Sequence, residues 1–174
     1  MTQSPMSLDA FKAMAGEASR LSRWFIVDQT RIDAFADVTE DRQFIHVDPQ
    51  QAVATPFGGT IAHGFLSLSL LSAMFYDAVP PVEGEGMSLN YGFDKIRFLS
   101  PVPSGDRVRG RFALNLLEEK APGQWQAYWD VVVEIEHGAK PALIASWITR
   151  KSISEPVVHW GQMLVRRGRI ELPT

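Results

Sequence analysis

Apolar and polar positions change their period several times along this chain, and each change marks an element. Leu8, Phe11, Met14 and Ala15 recur at three and four residues, which predicts a short amphipathic helix closed near Gly16. Trp24-Phe25-Ile26-Val27 is a compact β-prone run, and from Gln29 the positions Ile32, Phe35, Ala36 and Thr39 fall on one helical face. From Ile61 to Ala78 apolar residues lie almost all round, which predicts a buried helix. Ser88 to Phe98 is long enough for a strand. In Arg107 to Leu116, Val108, Gly110, Phe112, Leu114 and Leu116 alternate with Arg107, Arg109, Arg111, Ala113 and Asn115. The same period of two runs from Trp125 to Ile135, and a last strand is expected from Leu143 to Arg150. Short connections between long strands favour antiparallel pairing. The pattern predicts an α+β domain, a strongly curved antiparallel sheet around one central helix.

Length and composition narrow the picture. A chain of 174 residues, 45% hydrophobic and 21% charged, is sized for one globular domain. The alternation stops near residue 152, so residues 1–152 are expected to form that domain, with 153–174 as a tail outside the core. Seventeen basic against twenty acidic side chains give a net charge of -3, which supplies no footprint for nucleic acid. Without cysteine there is neither a disulfide framework nor a thiolate nucleophile, in keeping with a cytoplasmic protein. The most apolar stretch, Phe65 to Val79, is short and interrupted by Ser67, Ser69, Ser72 and Asp77, so no membrane span is expected.

Candidate chemistry gathers in front of the apolar run. Asp41 and His46 sit on one short polar segment, followed by Asp48, a loop through Pro56, Gly58 and Gly59, and then His63-Gly64. An imidazole and a carboxylate that converge can exchange a proton near neutral pH. His137 and His159 are isolated, and no spacing suggests a metal site.

Asp41, four intervening residues, His46, Asp48-Pro49, Phe57-Gly58 and Ile61-Ala62-His63-Gly64 together resemble the hydratase-2 signature of the MaoC-like dehydratases, in the branch resembling nodulation protein N. The similarity runs from about Leu8 to about Lys151 and includes Asn90-Tyr91-Gly92, Lys95-Ile96-Arg97-Phe98 and Pro101-Val102-Pro103. It implies a hot-dog fold and a hydro-lyase of fatty acid metabolism that adds water reversibly to trans-2-enoyl-CoA, giving (R)-3-hydroxyacyl-CoA. The partners it implies are an acyl-CoA or acyl-carrier thioester and a second copy of the chain, as a homodimer or dimer of dimers. No cofactor is expected beyond the coenzyme A of the substrate. By the same resemblance Asp41 and His46 share the reacting water, the Gly64 amide receives the thioester oxygen, and Ser72 and His63 line the substrate site.

Each residue has a plainer reading. Asp41 could cap a turn, Asp48 before Pro49 an N-terminus, and His63 could be a structural hydrogen-bonder. The serines of the apolar run could satisfy helix carbonyls. Arg107, Arg109 and Arg111 form a basic stripe that either meets coenzyme A phosphates or is a solvated strand face. Glu40 and Gln43-Phe44 depart from the family's usual residues beside the pair. An acyl-CoA thioesterase and a non-catalytic acyl-binding subunit are the alternatives on the same fold.

Overall fold

The computed structural model describes residues 3–154, 159–160 and 163–164. Helix α1 (Leu8–Ala13) is capped by the Ser7 hydroxyl, which accepts from the Ala10 N–H at 3.1 Å. Gly16 follows with a φ of +82°. Two short strands, β1 (Arg20–Leu21) and β2 (Phe25–Ile26), lead to α2 (Gln29–Thr39). The Asp28 carboxylate caps α2 by accepting from the Arg31 N–H at 2.9 Å. This helix ends where Glu40 adopts a left-handed conformation, φ 61°. Two single-turn helices follow, α3 (Phe44–Val47) and α4 (Pro49–Ala52).

The central helix differs from the expected Ile61 to Ala78 run in two ways. It begins at Gly64, because the preceding backbone is bound in strand-like fashion: Ile61 N–H donates to Ile45 O at 3.0 Å, and Ala62 N–H to Val102 O at 2.8 Å. It is also divided at Leu70 into α5 (Gly64–Ser69) and α6 (Leu71–Ala78). The Ser69 hydroxyl donates to the Phe65 carbonyl at 2.7 Å, the back-bonding that bends helices. Nor is the run buried all round. Leu66, Leu71, Met74, Phe75 and Ala78 face the core, whereas Phe65, Ser69, Ala73 and Tyr76 form an exposed stripe.

Around this helix the sheet is antiparallel throughout. Strands β3 (Glu85–Phe98), β4 (Arg107–Ala121), β5 (Gln124–Ile135) and β6 (Leu143–Ile153) stand in the order β4-β5-β6-β3, with β1 and β2 both pairing to the outer edge of β4. Strand β3 starts earlier than its alternation suggests and β6 runs three residues beyond Arg150. Three irregularities in their ladder explain the weak period of β3. At the centre of the core the Phe75 ring is met edge-on by Phe112, Trp129 and Trp147, with centroids 5.4, 4.9 and 5.3 Å away. Gly110 interrupts the large side chains of β4 where α6 crosses, since a Cβ there would lie 3.1 Å from that of Met74. This is the predicted α+β arrangement, a sheet wrapped around a helix. Past residue 154 the structure describes only a short antiparallel pair, His159–Trp160 with Met163–Leu164 (β7 and β8). The expected tail otherwise lies outside the described residues.

Candidate active site

The polar segment after α2 folds back on the start of α5. His46, on α3, is buried, and its Nδ1 lies 2.7 Å from the Ile61 carbonyl. A carbonyl only accepts, so Nδ1 carries the hydrogen, and a neutral His46 presents Nε2 as a base. Gln29 fixes the segment from below. Its amide donates to the His46 carbonyl at 2.7 Å while its oxygen accepts from the Thr60 hydroxyl at 2.6 Å. Burial pushes the His46 pKa below its ordinary value, helped by neighbouring His63; the Ile61 hydrogen bond and the Asp41 charge oppose the shift without cancelling it. His46 is therefore neutral at neutral pH, the form a general base requires.

His63 lies behind His46 and not in front of it. The two rings stack with centroids 3.7 Å apart and planes 26° from parallel. His63 Nε2 sits 2.9 Å from the Asp41 backbone carbonyl and 4.0 Å from its carboxylate. At 3% exposure His63 supports the site from inside. The role of substrate contact expected for it has no support in this geometry, because it does not line the cavity on which His46 opens. Its Nδ1 is buried with no hydrogen-bond partner among the described residues.

Asp41 and His46 do converge. One Asp41 carboxylate oxygen and one nitrogen of each histidine lie within 4.8 Å of one another. No hydrogen bond joins Asp41 and His46 among the described residues, and a separation of up to 4.8 Å leaves room for a water between them. The Asp41 side chain is 57% exposed and accepts no hydrogen bond among the described residues, so it caps nothing. The same three groups could in principle hold a cation. Stacked rings, however, set their in-plane lone pairs side by side, and a zinc-sized ion about 2.0–2.1 Å from both nitrogens would leave both ring planes. Asp48 follows its plainer reading. Its carboxylate accepts from the N–H groups of Gln50 and Gln51, each at 3.0 Å, and caps α4. Those bonds, the Gln51 N–H foremost, hold its pKa below the usual carboxylate range.

His46 opens on a cavity of about 250 Å³ that Gly64, Ser67, Phe98, Ser100 and Pro101 also line. Gly64 stands at the first turn of α5, where backbone N–H groups have no helical partner. Its missing side chain makes room for the Phe98 ring, which would stand 2.9 Å from a Cβ. Two lining residues, Ser67 and Phe98, were not singled out for this cavity from sequence. The resemblance included Phe98, but not that β3 would carry it across the helix start. Ser72 is placed elsewhere, two turns along in a separate cavity with Asn90 and Trp147. The basic stripe is answered from β5: Arg109 and Arg111 both donate to Glu134, and Arg107 to Glu136. These guanidinium groups are engaged in pairs and do not form a vacant phosphate site.

Comparison with known proteins identifies the family and the fold. Residues 10–124 match the model of the MaoC like domain. Nodulation protein N of Rhizobium leguminosarum is 51% identical over 145 residues, 83% of this chain and 90% of its own. The 3-hydroxyacyl-thioester dehydratase Z of Mycobacterium tuberculosis is 45% identical over 138 residues, 79% of this chain and 91% of its own. The crystallised (R)-hydratase of Aeromonas caviae superposes with a TM-score of 0.64 at 25% identity, covering 76% of this chain and 95% of that one. Its helix-in-sheet architecture is the hot-dog fold described above. On a family match spanning most of the chain, this protein belongs to the MaoC-like dehydratases.

Proposed function

We propose that this protein is a hydro-lyase that interconverts trans-2-enoyl-CoA and (R)-3-hydroxyacyl-CoA. The observation that carries the reading is the convergence of the Asp41 carboxylate on the His46 ring, within 4.8 Å, where His46 lines a cavity that Gly64 also lines. In hydration the water oxygen bonds to C3 of the enoyl thioester as its proton passes to the Asp41 and His46 pair. The electron pair of the double bond moves to C2, which takes a proton from the same pair. Positioned acid–base groups of this kind supply about 10²- to 10⁴-fold each. Negative charge developing on the thioester oxygen would be met by the Gly64 N–H at the start of α5. The substrate carries its own coenzyme A, and no other cofactor enters these steps.

The active form in this reading is a homodimer or a dimer of dimers, with residues 1–152 as the catalytic domain. Strand β3 lies at the end of the sheet with one edge unpaired, and Met87, Leu89 and Tyr91 on it are half exposed, as is the Phe65 and Tyr76 stripe beside them. An edge of that length and polarity calls for a partner, and a second copy of the chain provides a matching one. Leu89→Asp should weaken self-association at least about tenfold, read by analytical ultracentrifugation. Acyl-CoA chemistry without cysteine fits a reducing cytoplasm, and no helix among the described residues is long and apolar enough to cross a membrane.

The test follows enoyl absorbance with crotonyl-CoA and longer trans-2-enoyl-CoAs. Wild type should turn over, with (R)-3-hydroxyacyl-CoA as the product. Release of free coenzyme A instead would make the protein a thioesterase. Acyl-CoA binding with no turnover would make it a binding subunit.

A further inference from the structure

The cavity at His46 holds a polar side chain that the acid–base steps do not use. Of the residues that line it, His46, Ser67 and Ser100 bring polar side chains, among apolar ones such as Phe98, Val102 and Ala142. Ser100 stands half-buried on the loop after β3, whereas Ser67 is 2% exposed on α5, three residues beyond Gly64. Residues at that spacing share a helix face. The Cα–Cβ bond tilts toward the helix N-terminus, so the Ser67 hydroxyl leans back over the turn that carries the Gly64 N–H.

A serine inside a helix commonly returns its hydroxyl to the carbonyl four residues back. Ser69 does so, donating to the Phe65 carbonyl at 2.7 Å. For Ser67 that carbonyl belongs to His63 and is already taken, because it accepts from the N–H groups of Leu66 at 3.1 Å and of Ser67 itself at 3.3 Å. The Ser67 hydroxyl makes no hydrogen bond among the described residues. Nor is it sealed in protein, since the buried side-chain polar atoms cut off without a partner there are those of Arg31, His63 and Trp147. An O–H inside the fold that is neither bonded nor sealed opens on the cavity, where it is free to donate.

We propose that Ser67 is a catalytic residue whose O–H donates to the thioester oxygen beside the Gly64 N–H, making a two-donor site for the charge that develops there. The inference rests on the hydratase reading for which substrate atom lies at the start of α5. A thioester oxygen only accepts, and so matches two donors converging from one helical turn. As water adds at C3, the electron pair arriving at C2 is shared with that oxygen. A donor in a largely apolar lining then gains more in the transition state than in the ground state. Ser67 transfers no atom in this role, and its proton stays on its own oxygen.

Ser67→Ala should lower kcat with crotonyl-CoA roughly 100-fold and change KM less than about threefold, with the fold checked by circular dichroism. Ser67→Cys restores most of the volume but donates weakly, and it should stay at least about tenfold slower than wild type, which separates donation from packing. Isotope-edited infrared spectra of butyryl-CoA, labelled with carbon-13 at the thioester carbonyl, read the contact without turnover, because this saturated thioester cannot be hydrated. On binding to wild type the carbonyl band should move to lower wavenumber. Ser67→Ala should lose part of that shift while the Gly64 N–H keeps the rest. An equal shift in wild type and variant, no binding or no shift in wild type, or wild-type kcat in either variant overturns the proposal. A Ser67-dependent shift in a protein inert toward every enoyl-CoA would leave the contact standing and remove the hydratase reading.

Discussion

Two regions of this molecule place charged groups within reach of each other, and they differ in whether the charges are answered. On the outer face of β4 and β5, Arg109 and Arg111 converge on Glu134, and Arg107 on Glu136. Burial pushes the Glu134 carboxyl pKa up, but hydrogen bonds from Arg111 and Arg109 outweigh it and leave the net value low. Around α3 the bonds are incomplete. Among the described residues the Asp41 carboxylate accepts no hydrogen bond, and the His46 ring uses one nitrogen on Ile61 and has no partner for the other. Completed pairs hold a sheet together, whereas open valences beside a cavity are what a reaction can use.

The largest way to sharpen that contrast is to close the open groups. Asp41→Asn and His46→Gln should each lower kcat at least about 100-fold with the fold retained, checked by enoyl absorbance and circular dichroism. A pH profile comes next. Because His46 is held below the ordinary histidine value of 6.5, the acid limb of kcat/KM against pH should have its midpoint below 6.5. Stability follows the same sign: with a lowered folded-state pKa, the unfolded chain binds more protons, so His46 contributes a loss of stability as pH falls from about 6.5 toward its folded-state value. A thermal melt series across that range checks it. The smallest effects belong to the answered groups. Asp48→Ala, which removes the cap of α4, should lower Tm by roughly 2–4 °C. Glu134→Gln should lower it by less than about 2 °C and leave kcat/KM unchanged, because partly exposed pairs contribute little.

The long alternating strands were legible in the sequence because a period of two follows directly from one buried face. In β4, Val108, Phe112 and Leu114 are all buried as the pattern requires. The helix start was not legible, since residues 61–63 are apolar enough to continue a helix. Their departure is decided by Ile45 and Val102, which are distant in sequence and take their N–H groups. The fate of the arginine stripe was equally hidden, because Glu134 faces it only through the register of β4 against β5. At the site the motif led to Asp41 and His46 together. It did not reveal that His63 would stack behind His46, nor that Ser72 would fall in another cavity. Both depend on how α5 and α6 turn within the sheet, which no local spacing encodes.

The central claim is that Asp41 and His46 act as one unit on one water. The measurement that tests it is a double-mutant cycle on kcat with crotonyl-CoA, using Asp41→Asn, His46→Gln and the two combined. Groups that share a single proton-transfer event are strongly non-additive, so the combined variant should be no more than a few-fold slower than the slower single one. Effects that multiply, or a single variant that turns over like wild type, would contradict the account.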